Sequence, residues 1–164
     1  MKPLFCVVFA SLFAAFPAFA EMKAQVLPPW NGKTVPAGQQ CTLDGGNGKT
    51  PPFQVTGIPE GTAAIYVEYN DRDFSKLSSK GGHGIIAYGV KGPSAKFPAL
   101  PGLTAKLPGG AQVVKKARST GNYASAGYLP PCSGGKGHRY QAQVKAISAA
   151  GKVLAKTRMD LGRY

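Results

Sequence analysis

Residues 139–146 read R-Y-Q-A-Q-V-K-A, and apolar and polar side chains alternate along the whole stretch. A period of two is typical of a β-strand that buries one face and exposes the other. Residues 63–69 and 153–159 alternate in the same way, and residues 85–90 are continuously apolar, which predicts a strand covered on both faces. The 22 glycines and 14 prolines interrupt every candidate helix early. The sequence therefore predicts a mainly β fold, in the form of a sandwich.

The first 20 residues have the organisation of a secretory signal peptide. Lys2 supplies the positive start, residues 4–15 are apolar, and A-F-A at residues 18–20 is a small-x-small cleavage pattern before Glu21. A membrane anchor is disfavoured because serine and proline interrupt the apolar segment and no charged stop-transfer flank follows it. We therefore expect a periplasmic or secreted protein that does not span a membrane after cleavage. Its mature part, residues 21–164, is long enough for one domain with one core.

Cys41 and Cys132 are the cysteines that remain after this cleavage. A pair of cysteines in an oxidising compartment predicts a disulfide bond, with two buried thiols as the alternative. No cofactor motif is found.

Removal of Lys2 leaves 7 acidic residues and a net charge of +12. For an exported chain, this positive charge favours anionic lipid or acidic proteins as partners over nucleic acid. The sequence also lacks the alternation of arginine and aromatic residues that is typical of proteins that stack on nucleic-acid bases. The densest basic cluster, K-K-A-R at residues 115–118, is interpreted as a solvated face. Residues 91–110 contain four prolines and four glycines and are predicted to form a long loop, either functional or loosely ordered.

Two motifs contain the residues best suited to a binding site, D-R-D at residues 71–73 and G-H-R-Y at residues 137–140. Residues two apart on a strand share a face, so each motif can direct two polar side chains to one side. Histidine and tyrosine can donate to phosphate oxygens, and carboxylates can keep the histidines protonated. Neither motif has a spacing that indicates a metal site. Taken alone, D-R-D is also typical of a turn after a strand, and a histidine beside arginine and tyrosine is typical of a strand-edge residue hydrogen-bonded to backbone. Taken together, the motifs predict a pocket with two carboxylates, two imidazoles and a phenol: Asp71, Asp73, His83, His138 and Tyr140.

Three segments of the chain form a combined pattern that is more specific than any one of them. They are C-T-L-D-G-G-N-G-K-T-P-P-F-Q-V-T-G-I-P-E-G-T at residues 41–62, D-R-D followed by His83, and G-Y-L-P-P-C-S-G-G-K-G-H-R-Y at residues 127–140. In order and spacing they resemble the phosphatidylethanolamine-binding protein family, also called Raf-kinase-inhibitor-like proteins. The resemblance spans residues 41–147. It implies an antiparallel β-sandwich with few short helices and a small pocket for phosphate and phosphorylated headgroups.

Carried over position by position, the resemblance implies that Pro131 and Cys132 form a wall whose backbone amides face the anion. The ligand-binding residues implied in this way are Asp71, Asp73, His83, Pro131, His138 and Tyr140.

The chain departs from the family's pattern around the pocket. The usual D-P-D-A-P is D-R-D-F-S, which places Arg72 and Phe74 at the pocket edge, and Gly84 replaces the aromatic residue that commonly follows the pocket histidine. Val55 replaces a usual tryptophan, and the helix that many members carry near the C-terminus has no counterpart after residue 147. We expect the pocket chemistry to be retained and the pocket's size and lid to differ.

Three classes of function are compatible with these features. The first is an exported, non-catalytic protein that binds phosphate, phospholipid headgroups or similar small anions. The second is an interaction or inhibitor module that docks acidic partners through its basic surface and the segment 91–110. The third is a hydrolase that uses histidine and aspartate, although no serine or cysteine lies in a recognisable nucleophile motif.

Overall fold

The structure is a computed structural model and describes residues 21–164. The predicted signal peptide lies outside the described residues. Residues 21–164 form eight strands: β1 Lys23–Val26, β2 Phe53–Thr56, β3 Thr62–Asp71, β4 Ile85–Gly89, β5 Ser94–Phe97, β6 Gln112–Lys115, β7 Arg139–Ser148 and β8 Val153–Arg163. The helical content of these residues is three single 3₁₀ turns, at Thr42–Asp44, Ser75–Leu77 and Gly121–Tyr123.

The strands form two sheets in which neighbours run antiparallel. The smaller sheet has the order β1-β2-β5 and the larger has the order β6-β4-β3-β7-β8. One apolar core joins them, with Phe53 and Phe97 from the smaller sheet and Ile65, Val67 and Val144 from the larger. The mainly β sandwich predicted from the sequence is confirmed.

The three alternating stretches form adjacent strands of the larger sheet: residues 63–69 lie in β3, residues 139–146 in β7 and residues 153–159 in the edge strand β8. In β7, Tyr140, Ala142, Val144 and Ala146 are buried while the residues between them are partly exposed. β3 pairs with β7 so that Asp71 lies opposite Tyr140. The alternation therefore fixes which face of each strand meets the core, and the pairing places the first acidic motif beside the second histidine motif.

Two predictions about other segments are wrong in part. In β4, Ile86 and Tyr88 are buried but Ile85 and Ala87 are half-buried, so the strand is not covered equally on both faces. The predicted loop at residues 91–110 contains β5, which pairs with β2. Short strands at a sheet edge are difficult to detect in a segment rich in glycine and proline, because turn residues surround them.

The end of the chain agrees with the predicted absence of a C-terminal helix. β7 leads to β8 through a short turn in which the Ser148 N–H donates to the Lys152 carbonyl at 2.9 Å. No helix within residues 21–164 is long and apolar enough to cross a membrane.

A small second apolar cluster lies beside the main core and contains Cys41, Ala117 and Leu129. Cys41 and Cys132 form the predicted disulfide bond, which joins positions 91 residues apart. The Cys41 N–H donates to the Pro131 carbonyl at 2.8 Å. The bond therefore ties the loop before β2 to the loop before β7, next to the histidine motif.

Candidate functional site

Asp71 and His138 form the first element of the site. Asp71 is the last residue of β3 and is buried, and His138 immediately precedes β7. The Nδ1 atom of His138 lies 2.7 Å from Oδ2 of Asp71. The pair arises because β3 and β7 are paired up to Asp71 and Tyr140, which brings the end of one motif to the start of the other. A carboxylate in this position fixes the ring and the tautomer of the histidine.

His83 is buried at the base of the same region. Its N–H donates to the Tyr69 carbonyl at 2.9 Å, and its own carbonyl accepts from the Leu129 N–H at 2.9 Å. The ring Nδ1 lies 2.8 Å from the Leu129 carbonyl oxygen. Because a carbonyl oxygen only accepts, Nδ1 carries the proton. The other ring nitrogen, Nε2, is buried and has no hydrogen-bond partner among residues 21–164.

The protonation state of His83 follows from its surroundings. Burial lowers the pKa of His83 below its ordinary value of 6.5. The ring is therefore neutral near neutral pH, and Nε2 presents a lone pair rather than a proton. His83 thus differs from the charged donor expected from the sequence, because the effect of burial on its pKa outweighs the opposing effects of the Leu129 hydrogen bond and the Asp71 carboxylate.

Two glycines allow the main chain to bring His83 into this position. A Cβ atom at Gly82 would lie 2.1 Å from the Leu77 carbonyl oxygen. Gly84 has a φ of +111°, and a Cβ there would lie 2.9 Å from the Gly127 carbonyl oxygen. The aromatic residue that the family usually carries after its histidine therefore has no room at this position. The space beside Gly84 is instead occupied by the main chain of residues 127–128, which packs directly against it.

Tyr140 packs against His83 and holds the backbone at Cys132. Its ring meets that of His83 edge-on, with centroids 5.4 Å apart. Its hydroxyl oxygen accepts from the Cys132 N–H at 3.1 Å. Burial raises the pKa of Tyr140 well above its usual value, so the phenol stays neutral. Tyr140 packs against His83 and is not among the residues that line the cavity described below.

Asp73 does not take the place predicted for it. The Asp73 carboxylate accepts from the Arg139 N–H at 2.7 Å and from its guanidinium, and these hydrogen bonds hold the pKa of Asp73 well below its ordinary value of 3.8. The Asp73 N–H donates to Oδ1 of Asp71 at 2.9 Å. β3 ends at Asp71, so the two carboxylates are not on one strand face, and Asp73 instead closes the turn that orients Asp71.

The prediction that backbone amides of Pro131 and Cys132 form a wall facing the anion is wrong. Proline has no N–H, the Cys132 N–H donates to Tyr140, and the Gly134 N–H donates to Asp44 Oδ2 at 2.8 Å. These amides are engaged within the fold and do not face an anion.

A cavity of about 420 Å³ opens over the Asp71–His138 pair and His83. Apolar side chains and exposed cations also line this cavity. The apolar contributors are Phe74, Leu77, Tyr123 and Leu129, and the cations are Lys76, Arg118 and Lys136. The cavity therefore offers hydrogen-bonding groups at one end, an apolar wall and a positively charged rim.

The segment after β6 was missed as part of the site. Arg118 belongs to the cluster interpreted as a solvated face, but its guanidinium donates to the carbonyls of Lys80 and Lys76 at 3.1 and 2.8 Å and lines the cavity. Ser119 also lines it, and its buried Oγ has no partner within the described part of the chain. The available signal was a cation followed by two hydroxyl residues, R-S-T, which is too common to indicate a site.

A second, separate cleft of about 520 Å³ lies over the outer side of β7 and β8. Its cations are Lys33, Arg72, Arg139, Arg158 and Arg163, faced by Asp160. The closest approach to metal-ligand geometry in residues 21–164 is a group formed by Cys41, Asp44 and Cys132. Both sulfurs of that group are used in the disulfide, so neither is a thiolate ligand.

Comparison with known proteins assigns this architecture to a class. The sequence model described as phosphatidylethanolamine-binding protein matches residues 28–163, and the chain belongs to that family. No curated protein sequence matches the chain. Two crystal structures are among those that share the fold. One is Escherichia coli YbcL, titled a new member of the mammalian PEBP family, with a TM-score of 0.56 and 21% identity over 88% of this chain and 98% of that one.

The other is CT736 from Chlamydia trachomatis, titled a putative phosphatidylethanolamine-binding protein homolog. Its TM-score is 0.52 and its identity 19%, over 88% of this chain and 97% of that one. Identities this low establish the fold and leave the ligand of this chain to be inferred from its own residues.

Proposed function

We propose that this protein is an exported, non-catalytic binding protein whose cavity holds a small phosphate-bearing ligand. The observation that supports this most directly is the buried Nε2 of His83, which has no partner within residues 21–164 and belongs to a cavity with a cationic rim. A buried polar atom without a partner is costly, and a ligand that bonds to it removes that cost. The rim cations Lys76, Arg118 and Lys136 favour a negatively charged group.

The size and walls of the cavity favour a phosphate joined to an organic group over a bare ion. A volume of about 420 Å³ lies in the range of pockets for small organic molecules. Phe74 and Tyr123 are partly exposed at 45% and 48% although both line the cavity. An apolar group attached to the phosphate would cover these rings and gain hydrophobic stabilisation.

The arrangement of the polar groups supports binding over hydrolysis. Nucleophilic catalysis requires a nucleophile within hydrogen-bond reach of a base. The Ser119 hydroxyl lines the cavity, but within residues 21–164 its Oγ bonds to no histidine or carboxylate. His138 is bonded through Nδ1 to Asp71 and His83 through Nδ1 to the Leu129 carbonyl, so either ring could act as a base only through Nε2, and no hydroxyl of residues 21–164 is hydrogen-bonded to either Nε2 atom.

Export is proposed from two features. The N-terminal pattern is that of a signal peptide, and the disulfide between Cys41 and Cys132 suits an oxidising compartment such as the periplasm or the exterior. A second role, docking of an acidic partner, is favoured by the basic cleft over β7 and β8, where Lys33 and Arg158 have no side-chain hydrogen bond or ion pair among the described residues.

Phenyl phosphate is a suitable probe because its ring fits the apolar wall. We expect it to raise the melting temperature, since a ligand that binds only the native state adds about 2.7 kcal/mol at a hundredfold excess over its Kd. The double substitution Lys76→Ala/Lys136→Ala should weaken binding about tenfold, because two rim charges are lost. Ser119→Ala should also weaken binding while leaving the ligand-free protein at least as stable, because it removes an unpartnered hydroxyl.

The matched control is Lys115→Ala/Lys116→Ala, which removes the same charge from exposed positions that do not line the cavity. It should keep the full response to phenyl phosphate. If this control loses the response and the rim variant keeps it, the anion binds to the general surface and the proposed function is wrong.

A further inference from the structure

Two buried polar groups of the cavity, the His83 ring and the Asp71 carboxylate, offer acceptor atoms, and the buried Ser119 hydroxyl can donate or accept. His83 Nδ1 carries the ring proton because it donates to the Leu129 carbonyl, so Nε2 of the neutral ring has a lone pair and no hydrogen. Beside it, the Asp71 carboxylate accepts from His138 Nδ1 at 2.7 Å and from the Asp73 N–H at 2.9 Å. A carboxylate has about four lone-pair sites, so it keeps capacity to accept further bonds.

A fully deprotonated oxyanion is poorly matched to such a group. Its oxygens only accept, so an oxyanion oxygen at Nε2 would bring two lone pairs together without a proton between them. Hydrogen phosphate, HPO₄²⁻, carries an O–H near neutral pH, whereas phosphate monoesters, whose second pKa is about 6, carry one only in the minor, monoanionic part of their population. Sulfate and sulfonates remain free of protons under the same conditions.

We propose that the acceptor pair His83 Nε2 and Asp71 selects oxyanions that carry a proton, that is hydrogen phosphate and the monoanionic forms of phosphate monoesters and phosphonates, and rejects sulfate and sulfonates. The inference rests on the proposed function, because it assigns the ligand class of the same cavity. The rim cations attract any anion, and the acceptors at the base decide which tetrahedral anion is retained.

The neutral state of His83 is supported by its surroundings. Burial is the main cause that lowers its pKa, with the charge of His138 acting in the same direction and the Leu129 hydrogen bond and Asp71 opposing it. The charged and titratable groups that face His83 are on several elements: Asp71 at the end of β3, His138 and Tyr140 at the start of β7, and Lys76, Arg118 and Lys136 on the loops around the cavity. When the pH falls below the ordinary histidine range, Nε2 gains a proton and becomes a donor.

The test compares inorganic phosphate with sulfate by calorimetry on the mature protein, slightly above neutral pH and at matched ionic strength. Under these conditions HPO₄²⁻ and SO₄²⁻ have the same charge and shape and differ in the proton. An unsatisfied acceptor costs about 1–3 kcal/mol, so phosphate should bind roughly 10- to 100-fold more tightly than sulfate. Lowering the pH should reduce the ratio of the sulfate Kd to the phosphate Kd, because protonated His83 can donate a hydrogen bond to sulfate.

The variant His83→Gln should also narrow the ratio, since its amide can turn its NH₂ group toward sulfate. In this variant the ratio of the sulfate Kd to the phosphate Kd should change less below the ordinary histidine range than it does in the unsubstituted protein. The pH series on the unsubstituted protein tests the same point if the variant does not fold.

Equal binding of phosphate and sulfate, with both weakened by Lys76→Ala/Lys136→Ala, would overturn the selection by acceptors and leave the proposed function intact. Absence of binding by either anion, and by phenyl phosphate, would overturn both.

Discussion

Reduction of the disulfide between Cys41 and Cys132 is expected to lower the free energy of unfolding by about 4 kcal/mol, because the bond closes a long loop and restricts the unfolded chain. The cysteines are 91 residues apart, and Cys41 is 1% exposed, so the bond lies inside the fold. For a domain of this size the melting temperature should fall by roughly 10 °C on addition of dithiothreitol. Thermal denaturation followed by circular dichroism, with and without the reductant, measures the difference.

The double variant Cys41→Ala/Cys132→Ala should show the same loss and should not respond to the reductant. The mature protein, unfolded without reduction, should contain no thiol that reacts with Ellman's reagent. Two reactive thiols in that experiment would show that the bond does not form.

The substitution Gly82→Ala is expected to destabilise the protein by about 3 kcal/mol. The added Cβ would lie 2.1 Å from the Leu77 carbonyl oxygen and 2.4 Å from the Leu77 Cα, and both are main-chain atoms that cannot rotate away. Overpacking of this kind commonly costs 1–3 kcal/mol. The main chain must shift to relieve the contact, and His83 is the next residue, so the response to phenyl phosphate should be lost as well. Urea denaturation and the thermal shift measure the two effects.

Gly89→Ala is the matched control. Gly89 ends β4, is exposed, and a Cβ there would meet nothing within 4 Å. This variant should be as stable as the unsubstituted protein and should keep the response to phenyl phosphate. A stable Gly82→Ala variant with full binding would contradict the close packing of residues 77 and 82 around the site.

The period-two stretches predicted the strands that form the centre of the sandwich, because burial of alternate side chains is a local property of the sequence. Residues 63–69 lie in β3 and residues 139–146 in β7, which are paired with each other inside the larger sheet. β5 was not predicted, because its four residues lie in a segment dense in glycine and proline and are held by pairing with β2. Pairing between distant strands is a tertiary effect that periodicity does not contain.

The sequence predicted the part of the candidate site that lies in recognisable motifs and missed the part that tertiary structure brings to it. The motifs bring Asp71, His83 and His138 to one cavity, and their role in ligand binding stays a prediction. Asp73 turns to Arg139 because the strand ends two residues before it, and Arg118 and Ser119 reach the cavity through a loop with no recognisable motif. The neutral state of His83 depends on its burial and on which group accepts from Nδ1. Neither can be read from residue types alone.

Nitrogen-detected NMR of the imidazole rings gives the most direct test of the central claim, that the cavity binds a phosphate-bearing ligand. The chain contains two histidines, so the spectrum of the mature protein holds two ring systems. We expect the Nε2 signal of His83 to be that of an unprotonated nitrogen in the free protein. Titration with phenyl phosphate should shift the signals of both rings with one common Kd. Unchanged imidazole signals, with shifts confined to the guanidinium groups of Arg158 and Arg163 in the basic cleft, would contradict the account.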